Sequence, residues 1–252
     1  MFPFATGLLK PGQQVRNFSA TPAVDAMYAA LPATIAVLGP TSNVAEMLSK
    51  YPDAAGKIDR LVIMGAYPGP DKAPLCESSG KNETYPWFMD FNLVADGGAS
   101  MDMLRAASAA GVPVRFVPLV VTTRTWLTHA NLATLEAIND KHVRKPNFDV
   151  LLRALRTWGP IMTARCPTDA PVVFLHDPLT FLSSPPPEPT FWAPRYERKN
   201  MTFYREDGVL FRTEWGTTQP NGNAVHLTAE FPTSINTTAV RDRVMSILSS
   251  LP

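Results

Sequence analysis

The chain has 252 residues, 45% of them hydrophobic and 18% charged, which is enough to bury one substantial core in a single globular domain. Its 23 basic and 22 acidic residues leave a formal charge of +1, so no overall field favours nucleic acid or an anionic lipid surface. No apolar run approaches the roughly twenty residues of a membrane span and no charged leader opens the chain, so neither membrane nor nucleic acid is an expected partner and a cytoplasmic location is expected.

Residues 1–22 read as an irregular segment rich in Pro, Gly and Gln, and 23–252 as the domain proper. Pro22 to Leu31 suits a short helix, and Thr34 to Leu38 is the first clear strand. After Gly39-Pro40, Thr41 or Ser42 can cap a helix through Lys50 whose Val44, Met47 and Leu48 share one face. Leu61 to Met64 is the next strand, followed by Ala66 to Phe88, a long stretch with Pro68, Pro70, Pro74 and Pro86 that reads as a functional loop. Ala99 to Ala110 is a helix closed by Gly111, and Val114 to Leu119 is a strand. Leu127 to Ile138 and Phe148 to Trp158 are core-facing helices, the second ending at Gly159. Val172 to Leu175 is a further strand, Leu182 to Lys199 a loop, and Val209 to Thr213 and Ala224 to Thr228 are β-like; an amphipathic helix runs from Thr237 or Thr238 to Leu251. Cys76 and Cys166 have no metal-ligand spacing and read as unpaired thiols. The sequons at Asn17, Asn82, Asn200 and Asn236 bear only on secretion.

The apolar strands stop at polar clusters, and an open α/β sheet binds ligands at the carboxyl ends of its strands. The fold expected is therefore an open, mostly parallel, doubly wound α/β sheet with helices on both faces. His176-Asp177 directly follows Val172 to Leu175, which puts an imidazole and a carboxyl group at one strand end.

Leu38-Gly39-Pro40-Thr41-Ser42-Asn43-Val44-Ala45, Val62-Ile63-Met64-Gly65, Asp90-Phe91-Asn92 with Asp96, Val117-Pro118-Leu119 with Thr122, and His176-Asp177-Pro178-Leu179 follow one another in a characteristic order. That ordered set resembles the inosine-uridine-preferring nucleoside hydrolases, from about Ala23 to the carboxyl end. The resemblance implies hydrolysis of the N-glycosidic bond of purine and pyrimidine ribonucleosides with one Ca²⁺, which favours about six to eight oxygen ligands. It assigns Asp177 and the Thr122 main-chain carbonyl to the metal. Asn92, Asp90, Met64 and, across a loop insertion, Asn82 fall to the ribose, and His176 falls to the departing base. A neutral-range pKa would suit that last task. The partner implied is a small nucleoside or ribose, and a homo-oligomer is compatible with it.

Two departures stand out. Val120 replaces an aspartate in the Pro-Leu-Asp-Val-Thr run. The family's Asp-x-Asp-x-x-x-Asp-Asp segment, source of the general base, most carboxylate ligands and the first strand of the sheet, is absent from the chain. The expectation is an incomplete domain with its amino-terminal strand missing, weak calcium binding and doubtful activity. The alternative is a non-catalytic ribose- or nucleoside-binding module or assembly subunit.

Overall fold

The computed structural model describes residues 22–66, 73–74, 84–85, 91–141, 146–166, 171–184, 196–206, 210–215, 224–232 and 234–250. Helix α1 (Pro22–Ala29) leads into β1 (Ala33–Val37), α2 (Ser42–Lys50) and β2 (Ile58–Met64). Two-residue strands β3 (Ala73–Pro74) and β4 (Thr84–Tyr85) pair with each other ahead of α3 (Phe91–Val94) and α4 (Gly97–Ala110). Then come β5 (Val114–Val117), α5 (Leu119–Thr122), β6 (Trp126–Thr128), α6 (His129–Lys141), α7 (Pro146–Arg165), β7 (Pro171–Phe174) and α8 (His176–Leu182). The chain finishes with β8 (Tyr196–Glu206), β9 (Leu210–Trp215), β10 (Val225–Pro232) and α9 (Thr237–Ser250).

The main sheet has six strands in the order β1-β2-β5-β10-β8-β9. β1, β2, β5 and β10 run parallel, while β8 and β9 are antiparallel additions at one edge. Side chains alternate across it as strand geometry requires. Leu61, Ile63, Val114 and Phe116 point to one face, where Val24 of α1, Met47 of α2 and Leu104 of α4 cover them. Val62 and Val117 point to the other, under Leu179 of α8 and Val240 and Val244 of α9. Helices on both faces of a mostly parallel sheet are the architecture expected.

Several details differ from the expectation. The Val172 run is not in the main sheet, because β10 occupies the edge of β5 and β7 pairs antiparallel with β6 instead. Its unbroken apolar character reflects burial alone, with α7 pressed on it so closely that a Cβ on Gly159 would lie 3.4 Å from Val172 Cγ1. Gly159 therefore serves packing and α7 continues through Pro160 to Arg165. The ring costs the carbonyl four residues back its donor, and Arg156 there is exposed, so water can replace it. Leu127 and Thr128, expected to begin a helix, belong to strand β6, and β8 takes part of the stretch expected as a loop. Gly111 does close α4 in the left-handed region, at φ 68°.

Cys166 is disulfide-bonded rather than a free thiol, and it is fully buried. Structural disulfides persist in oxidising compartments, so this bond counts against the cytoplasmic expectation. Among the described residues no helix is long and apolar enough to cross a membrane.

Candidate active site

Register brings the functional ends together. Met64, the last residue of β2, pairs with Val117, the last of β5, and Gly65 N–H donates to Val117 O at 3.1 Å. The chain then turns sharply, with φ of 141° at Gly65 and 59° at Ala66. Glycine tolerates that region freely, whereas an alanine there is held by its surroundings. β5 feeds through Pro118 into α5, whose last residue is Thr122. α8 packs against β2 through Leu175 and Leu179, so His176 at its first position lies at the same end of the sheet.

Two side-chain pairs occupy this end. Asn92 Nδ2 donates to Met64 O at 3.1 Å and lies 3.5 Å from Met64 Sδ. The amide nitrogen is thus spent on the strand end, while Oδ1 has no partner among the described residues. Across the adjacent strand, Thr122 Oγ1 and His176 Nδ1 are 2.6 Å apart. Thr122 is fully buried, and the His176 ring rests beside Phe174 with centroids 5.5 Å apart. Asp177 follows in the first turn of α8, at the surface.

The Gly39 to Asn43 cluster has a different job. Ser100 Oγ donates to Leu93 O at 2.8 Å, so its own acceptor capacity is what Thr41 Oγ1, also at 2.8 Å, uses. Ser42 Oγ donates to Asp96 Oδ2, and Asp96 Oδ1 caps α4 by accepting from Ala99 N–H. These bonds tie the loop after β1 to the segment carrying Asn92; they position the site without facing a ligand. Asp90 and Asn82, expected to meet the ribose, lie outside the described residues.

Electrostatics alter the role expected of His176. Some of its surface is open, but the protein packed around the ring desolvates it and pushes the imidazole down to about 4. It is therefore neutral near pH 7, a hydrogen-bonding group and not a stored proton. Desolvation likewise raises the Asp177 carboxyl above its ordinary value.

Among the described residues the donor set does not fit Ca²⁺, which takes about six to eight oxygens, usually with several carboxylates. The candidate oxygens are one carboxylate, Asp177, and one carbonyl, Thr122 O, which already accepts from Thr125 N–H at 3.2 Å. Among the described residues no group of three or more His, Cys, Asp or Glu could hold a metal ion.

Sequence reasoning gave Thr122 only a main-chain role, and its hydroxyl contact with His176 was missed. The two residues are 54 apart, and no local pattern announces their meeting. Thr125 was missed too: its carbonyl anchors Leu175 N–H at 2.8 Å, and its buried hydroxyl has no partner among the described residues.

Comparison with known proteins bears on the family and the fold. The profile of the family described as inosine-uridine preferring nucleoside hydrolase matches residues 5–241. The non-specific ribonucleoside hydrolase RihC of Klebsiella pneumoniae is 33% identical over 113 residues, covering 45% of this chain and 32% of that protein. The chain thus matches about a third of the length of such curated relatives. Among solved structures, a purine-preferring ribonucleoside hydrolase from Gardnerella vaginalis superposes with a TM-score of 0.67 at 20% identity, covering 94% of this chain and 68% of that one. The plant nucleoside hydrolase PpNRh1 gives 0.63 at 14% identity, over 95% and 69%. At such identities these two likenesses speak for the fold.

Proposed function

The chain belongs to the inosine-uridine preferring nucleoside hydrolase family, and from that premise we propose that the end of the sheet formed by β2 and β5 takes a ribonucleoside, with hydrolysis of its N-glycosidic bond as the chemistry and a turnover limited by the shortage of carboxylates. The observation that carries this reading is the pairing of Met64 with Asn92 and of Thr122 with His176 at neighbouring strand ends. Asn92 Oδ1 is an acceptor suited to a ribose hydroxyl. Met64 offers an apolar, polarisable surface to the sugar. His176 lies on the base side, where negative charge builds as the bond breaks. Asp177 is the carboxylate nearest that imidazole in sequence, and Asp90 and Asn82 join the ribose side in the same reading.

Hydrolysis also needs a group to activate water, and among the described residues one carboxylate with a raised pKa is a poor substitute for an assembled acidic site. The same observation favours a second reading, a ribose- or nucleoside-binding module without turnover. One experiment separates them. The full chain is incubated with inosine and with uridine; release of free base and ribose is followed by chromatography while calorimetry measures binding. Binding with slow product release, both lost in Asn92→Ala and release alone reduced in His176→Gln, supports the hydrolase. Binding without product supports the module, and no binding of either nucleoside or of ribose overturns both.

A further inference from the structure

The contact between Thr122 and His176 carries a proton whose position the surrounding bonds decide. At 2.6 Å the hydroxyl oxygen and the ring nitrogen share one proton, and the network around them decides which one gives it. A hydroxyl has one proton to give. Its competing acceptor is Leu119 O at 3.3 Å. That carbonyl is already taken: Thr123 N–H reaches it at 2.9 Å and Thr123 Oγ1 at 2.8 Å, which fills both lone pairs. Thr122 is fully buried, so water does not replace either bond. His176 Nε2, by contrast, has no partner among the described residues.

We propose that the Thr122 hydroxyl is a positioning group that donates to His176 Nδ1 and so locks the imidazole as its Nε2–H tautomer, presenting a hydrogen-bond donor to a lone pair on the base of the bound nucleoside. The identity of that ligand rests on the reading above; the tautomer does not. A neutral imidazole has one donor and one acceptor nitrogen, and the hydroxyl bonded to Nδ1 chooses which kind faces the ligand. The chemistry this selects is a base with an acceptor nitrogen or oxygen within reach of Nε2 when the ribose sits on Asn92. An opposite tautomer would meet that atom lone pair to lone pair.

The test is long-range ¹H–¹⁵N correlation on the full chain labelled at histidine, near neutral pH and without ligand. The chain has four histidines, and His176 is assigned by its loss in His176→Gln. The expected pattern is one tautomer, Nδ1 bare and Nε2 protonated, preserved in Thr122→Ser and averaged between both forms in Thr122→Val. A protonated Nδ1 in the unaltered chain, or a Thr122→Val pattern identical to it, overturns the proposal. Should the valine variant not fold, the unaltered chain and the serine variant still decide. Inosine is then added: a shifted Nε2–H signal supports the ligand half of the inference, and an unmoved one overturns that half while leaving the tautomer standing.

Discussion

β5 carries two buried polar arrangements that end differently. At its middle, each nitrogen of the Arg115 guanidinium donates: Nε and Nη2 donate to Glu230 Oε2 at 3.0 and 2.7 Å, Nη1 donates to Ser183 O at 2.6 Å, and the flat face lies 3.9 Å from the Tyr196 ring centroid. Arg60 at 3.3 Å and Arg198 at 3.6 Å add charge around the same carboxylate. Just past its carboxyl end, Thr122 bonds His176 and Asn92 bonds the end of β2, while His176 Nε2 and Asn92 Oδ1 have no partner among the described residues. In the first arrangement the charges are paired and join β2, β5, β10, β8 and the end of α8, with only the buried Tyr196 hydroxyl lacking a partner among the described residues; the second leaves a donor and an acceptor open. Saturated polar clusters specify a fold, whereas a half-partnered one beside a strand end is where a ligand can supply what is missing.

The sharpest way to break this comparison is to unsaturate the first cluster. Glu230→Leu leaves Arg115, only 4% exposed, without its counter-charge, and denaturant unfolding should fall by about 3 kcal/mol. Acid should mimic the change. Burial pushes the Glu230 carboxyl up, but the Arg115 hydrogen bonds and the charges of Arg115, Arg60 and Arg198 outweigh it and hold the group net below its ordinary 4.5. A folded pKa below the unfolded one stabilises above 4.5, and this contribution is lost as pH falls through the lower, folded value. The acid limb of a stability–pH curve should therefore flatten in Glu230→Leu. An unchanged limb would mean the cluster does not act as one charge network.

The disulfide gives a second, somewhat smaller effect. Thiol titration of the unfolded chain should find no free cysteine, and reduction should cost about 2 kcal/mol of stability. Two reactive thiols, or identical unfolding with and without reductant, would remove the bond and with it the objection to a cytoplasmic location.

The parts legible in the sequence were those with strong periodicity or a single punctuating residue. Leu61 to Met64 is apolar throughout, Val114, Phe116 and Val117 keep their strand legible around Arg115, and Gly111 ends α4 because only a residue free of Cβ enters that region easily. β8 was not legible, since its Tyr196, Arg198, Asn200 and Thr202 face the polar side of the sheet and dilute the signal of Met201 and Phe203. The Val172 run was assigned to the wrong sheet because burial on all sides looks the same whichever partner supplies it. At the site, His176, Thr122, Met64 and Asn92 were legible as residues, but their partners were not. Hydrogen bonds that side chains make across 28 and 54 residues leave no trace in spacing.

A smaller test probes the scaffold beneath Asn92. Ser100→Ala removes a hydroxyl that both donates to Leu93 O and receives Thr41, leaving two buried polar groups short of a partner. Stability should drop by roughly 1 to 2 kcal/mol. Ribose or nucleoside affinity should drop with it, because Leu93 adjoins Asn92; stability loss with unchanged affinity would show that the Thr41 cluster does not set the position of the site.

The least effect on the fold, and the most telling for the site, belongs to Thr122→Val. Shape is conserved and only the Nδ1 position loses its partner, so global stability should change by about 1 kcal/mol. If the site is unfinished in the sense argued here, the loss appears where the ligand would be: product release or nucleoside affinity falls well beyond what the stability change explains, and Thr122→Ser restores it. A saturated cluster would behave the other way, with folding and function failing together, as they should in Glu230→Leu. Equal losses in the two variants would erase the distinction between the middle of β5 and its end.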